Sequence, residues 1–229
     1  MSSLIALKPR AVALLRAAIL FAAKDDVRFF INAVCIDPDP AAGRVRIVAT
    51  NKHVMFIATA PAQFFGAADP VLLSADALKS ALSAFRAADT RRAGALAIDP
   101  GSRYARLSLS LADASSAIED VLRDRENEIV SALAPMIDAQ YVDYRRALPI
   151  PTAAQQATRP AAINPKLLGA ICKAAEMLDE RTPGTAHIRF FAADEHGPQC
   201  TAISSDAIAA VMPMRADSAE YADVYATIF

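Results

Sequence analysis

The residues best able to do chemistry are scattered. Cys35, Cys172 and Cys200 are odd in number, and no two lie close in the chain. That spacing makes neither a disulfide framework nor a zinc pattern. It fits a reducing cytosol, with each cysteine acting as a small core hydrophobe. His53, His187 and His196 make no HxxxH or HxH spacing with a carboxylate, so no metal is expected. Asp25 and Asp26 are adjacent, and adjacent positions do not face each other, so they form no acid–base pair. Dinucleotide-binding GxGxxG, P-loop GxxxxGK(S/T), GxSxG and HExxH strings are all absent, and seven glycines leave little from which to build a phosphate cradle. These residues point to a chain that is not an enzyme and needs no cofactor.

The basic residues are more informative. Lys79 and Arg86 lie seven apart, as do Lys166 and Lys173, which is one face of a helix. Arg10, Arg16 and Lys24 place cations on an earlier helix and its end, with Arg28 just beyond. Their neighbours on those faces are mostly Ala and Ser. Cation-bearing faces of this kind suit the phosphate backbone of a duplex, bound without reading sequence and weakened steeply by salt. The formal net charge of −1 confines any such surface to a local patch. With no Trp and 7% aromatics, stacked single-strand platforms are not expected.

These residues sit in a repeat. A short apolar run, a helix-start signal and an apolar helix recur three times: Leu4–Leu7 into Lys8–Pro9 and Arg10 to about Ala23; Val71–Leu73 into Ser74–Ala75–Asp76 and Ala77 to about Ala88; Ala161–Ile163 into Asn164–Pro165 and Lys166 to about Leu178. Ser74 and Asn164 are good N-caps, and Pro9 and Pro165 suit the first helical position. Aligned on those starts, Val12, Leu15 and Ile19, then Leu78, Ala81 and Phe85, then Leu168, Ile171 and Ala175 form one buried stripe per helix. Strand-like runs follow each helix: Val27–Ile36, Arg44–Thr50 and Val54–Ala58; Gly94–Ile98 and Tyr104–Leu111; His187–Ala192, Gln199–Ser204 and Ala207–Met214. The expected architecture is α+β, about three β-α-β-β-β modules with helices on one face and antiparallel sheets on the other. Residues 112–128 read as a short surface helix or mobile loop, and residues 150–162 as a linker.

At 229 residues, with 54% hydrophobic and 21% charged, the chain has room for one large or two small domains and a substantial core. The apolar run Ala11–Ala23 is interrupted by Arg16 and is too short to span a membrane, so it reads as an amphipathic helix of a cytoplasmic protein.

Four strings, Val27–Asn32, Ala49–His53, Asp143–Pro149 and Val211–Arg215, resemble in order the VRYYLNG, ATDGH, DYRRVLP and VMPMR signatures of the bacterial DNA polymerase III β subunit, the DNA sliding clamp family. The resemblance implies a DNA-clamp fold and a processivity factor for DNA replication. Residues 1–149 look like the family's complete middle domain, of two modules. Residues 163–215 look like the second half of its last domain, and residues 216–229 like a C-terminal extension. It implies a partner-peptide groove for a DNA polymerase or another protein with a clamp-binding motif. The groove would be walled by Ile31, Thr50, Lys52, His53, Met55, Val142, Arg146 and Ala147, with Ala210, Met212, Pro213, Met214 and Arg215 opposite. It places Arg10, Arg16, Lys24, Arg28, Lys79, Arg86, Lys166 and Lys173 near duplex DNA. Two departures stand out: Lys52 replaces the family's Gly, and Val142 its Pro. A closed ring of the family has twelve modules, so three per chain implies a homo-oligomer, a dimer joined through the half-domains or a tetramer if a ring closes. The alternative is a non-ring clamp-like interaction module, a mobile-element decoy or modulator of a host clamp or polymerase. The end Tyr225–Phe229 resembles a clamp-binding peptide, an occupant for its own or a neighbour's groove.

Overall fold

The computed structural model of the chain describes residues 4–111, 127–147, 163–179, 188, 190–192 and 198–213. The first module is β1 (Leu4–Leu7), α1 (Arg10–Ile19), β2 (Ala33–Asp39), β3 (Arg44–Thr50) and β4 (Val54–Phe65). The second is β5 (Val71–Ser74), α2 (Ala75–Ser83), a short α3 (Ala87–Arg92), β6 (Ala95–Pro100), β7 (Tyr104–Ser110) and β8 (Glu128–Pro135). A single turn, α4 (Tyr144–Ala147), precedes the third module of α5 (Pro165–Leu178), β9 (Phe190–Ala192), β10 (Gln199–Ala202) and β11 (Ala207–Val211). The α+β fold built of repeated modules is thus the one expected. In the third module Ile163 is not in a strand, and Ala161 and Ala162 lie outside the described residues.

The first two modules exchange strands. β5, which opens the second module, pairs antiparallel with β2 of the first, Val34 opposite Leu73. β1, which opens the first module, pairs with β6 of the second, Ala6 opposite Ala97, and also with the far half of β4. The strand order β5-β2-β3-β4-β1-β6-β7-β8 nearly closes, because Met136 just past β8 bridges to Leu73 of β5. Helices α1 and α2 lie against the apolar face of this sheet. Val12, Leu15, Phe21, Leu78, Leu82 and Phe85 are buried against Ile36, Ile47, Phe56, Ile98 and Leu107 in one core. Truncating one of these large side chains to Ala would cost about 2–5 kcal/mol. The near half of β4 takes β11 on the same edge, Met55 opposite Ala210 and Ala58 opposite Ala207. The third module therefore extends the first module's sheet.

Several boundaries differ from the sequence expectation. The first helix stops at Ile19 rather than near Ala23: the Leu20 and Phe21 amides bond three residues back, and Ala23 N–H bonds to Ile31 O. The second stops at Ser83, and Arg86 is extended (ψ 155) and starts α3. Ser74 holds the N-cap position without a side-chain capping bond, and the Ala75 amide bonds to Asn32 O. Asn164 does cap, its Oδ1 accepting from Lys166 N–H at 2.9 Å with Pro165 in the first turn. The run expected as a strand from Val27 is a 3-10 turn at Phe29–Ile31, and strand β2 begins only at Ala33. β8 was not anticipated, and it begins inside the expected surface segment; residues 112–126 of that segment, and all of the linker 150–162, lie outside the described residues. Among the described residues no helix is long and apolar enough to cross a membrane.

Candidate partner-binding cleft and cationic face

The β3–β4 turn is built by Asn51. Its Oδ1 accepts from the His53 and Val54 amides at 3.1 and 3.0 Å, an Asx turn. Thr50 Oγ1 donates to Val54 O at 2.9 Å and accepts from Lys52 N–H at 3.2 Å. Between them Lys52 adopts φ +82°, a left-handed conformation suited to glycine. The Lys52 ammonium turns away to pair with the Asp26 carboxylate. That hydrogen bond, with one from the Arg28 amide, lowers the pKa of Asp26 below the ordinary carboxylate value.

Strand β11 closes the other side. Val211 lies opposite Val54, and Met212 N–H donates to His53 O at 2.8 Å, which fixes Met212 on the rim with 43% of its surface exposed. The result is an open cleft with about 310 Å3 of empty space, lined by Thr50, Lys52, His53, Val54, Met55, Pro198, Ala210 and Met212. Its floor is Val, Met, Ala and Pro, with the two basic side chains at the edge. Such a lining accepts apolar side chains of a short peptide while the rim supplies polarity.

The cleft gathers six of the residues expected on the groove: Thr50, Lys52, His53, Met55, Ala210 and Met212. Val54 and Pro198 were missed; Pro198 stands where β10 starts, a position that only strand pairing brings to the turn. Ile31 does not line it, because the 3-10 turn buries this side chain to 2% exposure. Val142 packs half-buried on the same small cluster as Met55, beside the cleft rather than in it. Arg146 is exposed and pairs with Asp143 at 2.9 Å, and Ala147 ends α4. Pro213 follows Met212 half-buried, while Met214, Arg215 and the tail lie outside the described residues. Tyr144 and Arg145 anchor this wall: both donate to Asp37 Oδ2 on β2, at 2.5 and 2.6 Å. Burial and the adjacent Asp37 together raise the Tyr144 phenol well above its usual range.

The cations divide into two groups. Arg10 is not on a solvent face: its guanidinium grips Asp206 through Nε–Oδ2 (2.7 Å) and Nη2–Oδ1 (3.1 Å) and donates to Leu178 O at the end of α5. Arg16 likewise turns inward, donating to Leu82 O and Phe85 O at 2.9 and 2.5 Å and capping the C-terminal end of α2. Lys24, Arg28, Lys79, Arg86, Lys166 and Lys173 are exposed. Arg28 reaches Asp26 at 3.5 Å, and Arg86 lies beyond α2 and so shares no helical face with Lys79. Arg91 and Arg92, in the last turn of α3, were not anticipated although they are adjacent in sequence and exposed. Among the described residues no group of three or more His, Cys, Asp or Glu could hold a metal ion.

No protein-family model matches the sequence, and no curated protein does. Solved structures do match in fold. The Helicobacter pylori beta clamp, in a crystal structure bound to DNA ligase peptide, aligns with a TM-score of 0.68 at 11% identity, over 93% of this chain and 66% of that one. The DNA polymerase III beta subunit of Thermotoga maritima gives 0.65 at 14% identity, over 95% and 66%. The Pseudomonas aeruginosa DNA polymerase sliding clamp gives 0.60 at 16%, over 93% and 66%. The chain therefore has a sliding-clamp fold and spans just under two thirds of the length of these proteins.

Proposed function

We propose that the chain is a non-catalytic, clamp-type processivity factor that lies against duplex DNA without reading its sequence and holds a polymerase-type partner by a short apolar peptide. The observation that carries this reading is the cleft where Met55 and Val54 meet Ala210 and Met212, at the junction of the first and third modules. The likeness to a beta clamp solved with a DNA ligase peptide supports a peptide as its occupant. The exposed cations Lys24, Arg28, Lys79, Arg86, Lys166 and Lys173 supply the backbone contacts, which can be weak when the assembly encircles DNA, because a closed ring cannot leave sideways.

A second reading is favoured by one observation: Arg10 and Arg16 are spent on internal contacts, which thins the cationic face. In that reading the chain keeps the peptide cleft and does not encircle DNA, acting as a modulator of another clamp or polymerase. Solution mass by light scattering, combined with retention on circular against linearised duplex, separates the two. An oligomer retained on circles and lost from linear ends supports the first reading; a monomer shed equally by both removes it.

A further inference from the structure

Lys52 is held at φ +82°. A lysine in the left-handed region costs the fold something that a glycine would not. What it returns is one ion pair, in which the Lys52 side chain is 34% exposed and that of Asp26 16%. A pair so open to solvent contributes little, so stability does not account for the lysine. Two cations share the Asp26 carboxylate. Lys52 Nζ sits on Oδ2, and Arg28 Nε on Oδ1 at 3.5 Å, with the Arg28 amide donating to that same oxygen at 2.9 Å. Asp26 therefore keeps partners when Lys52 leaves it, and among these three groups positive charge is in excess. The residues lining the cleft include Lys52 and His53 and neither Asp nor Glu. An apolar floor of Val54, Met55, Ala210 and Met212 thus meets a basic edge at the β3–β4 turn.

We propose that Lys52 sets the specificity of the cleft: the partner peptide carries an acidic side chain beside its apolar residues, and that carboxylate takes the Lys52 ammonium over from Asp26. The inference rests on the peptide reading of the cleft and names the chemistry of the peptide. The occupant follows from charge complementarity. Apolar side chains fill the floor, and a carboxylate beside them meets the basic edge. Trading one carboxylate for another costs Lys52 no pairing, while Arg28 holds the Asp26 that is left behind. A neutral neighbour offers Lys52 nothing, so the lysine stays on Asp26 and the peptide gains nothing from it. The gain lies between partly exposed charges and so falls with salt. It governs which partner is chosen more than how tightly any partner is held.

The test compares two peptides blocked at both ends, each with a Leu–Phe pair, flanked on both sides by Asp in one and by Asn in the other. Titrated into the full chain at low salt, the Asp peptide should bind about threefold more tightly, and the ratio should shrink toward one at high salt. Lys52→Gly should bring the ratio to one at low salt. Asp26→Asn, whose amide oxygen can still accept from the Arg28 amide, should raise the ratio above that of the unaltered chain, because Lys52 then has no carboxylate to leave. The comparison in the unaltered chain depends on no variant folding. Equal binding of the two peptides there overturns the proposal while the cleft remains a peptide site. A preference that persists in Lys52→Gly overturns it as well, and assigns the selection to another cation. Binding of neither peptide removes the peptide reading and this inference with it. If the peptides bind equally and Lys52→Gly weakens duplex binding, the lysine serves DNA and the proposal falls.

Discussion

Arg10 and Asp206 stand 196 positions apart and meet in a two-pronged ion pair, 2.7 and 3.1 Å, with neither side chain more than a third exposed. Arg10 opens α1, and Asp206 sits in the β10–β11 turn, where its carbonyl also accepts from Thr59 N–H at 2.8 Å. The pair fastens the third module to the first beside the strand junction that forms the cleft. Arg10→Ala leaves a half-buried carboxylate with only Ser204 as a side-chain donor, at an expected cost of about 2 kcal/mol. Urea unfolding should show it, and a double-mutant cycle with Asp206→Asn should give a coupling of about 1 kcal/mol or more. Additive effects would disprove the contact.

The same pair sets an acid limit. Burial alone would raise the Asp206 carboxyl, but hydrogen bonds from Arg10 and Ser204 outweigh it, and the pKa falls below its ordinary value. A carboxyl with a depressed folded-state pKa stabilises the fold above its unfolded value, about 3.9, and loses that contribution as pH falls through the folded value. Stability should therefore decline below about pH 4 in the native chain. Asp206→Asn should flatten that limb. An identical acid limb in the variant would assign the loss to other carboxylates.

Lys52 is a lysine where the backbone asks for glycine, at φ +82°. Substitution to Gly and to Ala removes the Asp26 ion pair equally, so the difference between the two variants isolates the backbone. Lys52→Gly should be more stable than Lys52→Ala by about 1 kcal/mol, reduced from the full strain by glycine's greater freedom in the unfolded chain. Thermal melts measure it, and equal melting temperatures would mean that the turn relaxes out of the left-handed region.

These cases mark what the sequence carried. Local pattern placed β3 to the residue, because the apolar-rich run Arg44–Thr50 lies between turn-forming flanks, and it placed β7 to within one residue. Six of the eight residues lining the cleft came from the family resemblance rather than from local pattern. Local pattern failed where a distant partner decides. Arg10 looked like a solvent cation because Asp206 is in another module, and the Arg16 side chain looked free because its carbonyl acceptors lie at and just beyond the end of α2. Tyr144 and Arg145 were legible as a motif, but their common acceptor Asp37, more than a hundred residues away, was not. Val27–Ile31 has strand composition, yet Asn32 and Asp26 bond to each other through both backbone and side chain and fold it into a turn. β8 begins at Glu128, at the end of the charged stretch Arg123–Glu128, and that polarity masked its start.

The division of the cations makes a prediction about DNA. Lys79 and Lys173 are exposed on α2 and α5, whereas Arg16 is turned to α2 carbonyls. If the helices face the duplex, Lys79→Ala or Lys173→Ala should each reduce the slope of log affinity against log salt by about 0.9, leaving the melting temperature unchanged. Arg16→Ala should do the reverse, lowering the melting temperature and leaving the salt slope as it was. A slope that responds to Arg16 and not to the lysines would place the duplex elsewhere.

The cleft itself is tested by its rim. Met212 is held by one backbone bond to His53 and leaves much of its side chain open to a ligand, while Met55 forms the facing wall. Truncating Met212 removes apolar contact area from the bound peptide and little from the core, so Met212→Ala should weaken binding of a short peptide with a Leu–Phe pair by about tenfold, equivalent to about 1.4 kcal/mol, with the melt unchanged. Met55→Ala should weaken it similarly but also cost stability, because Met55 packs on the cluster of Cys35, Leu72 and Tyr144. Cys35 reports on that second effect: burial, with a smaller contribution from Asp37, pushes its thiol up to about 12, so alkylation at neutral pH should be negligible until the cluster opens. Faster labelling of Cys35 in Met55→Ala than in Met212→Ala would separate wall from rim, and equal peptide affinity in both variants and the unaltered chain would place the peptide outside this cleft.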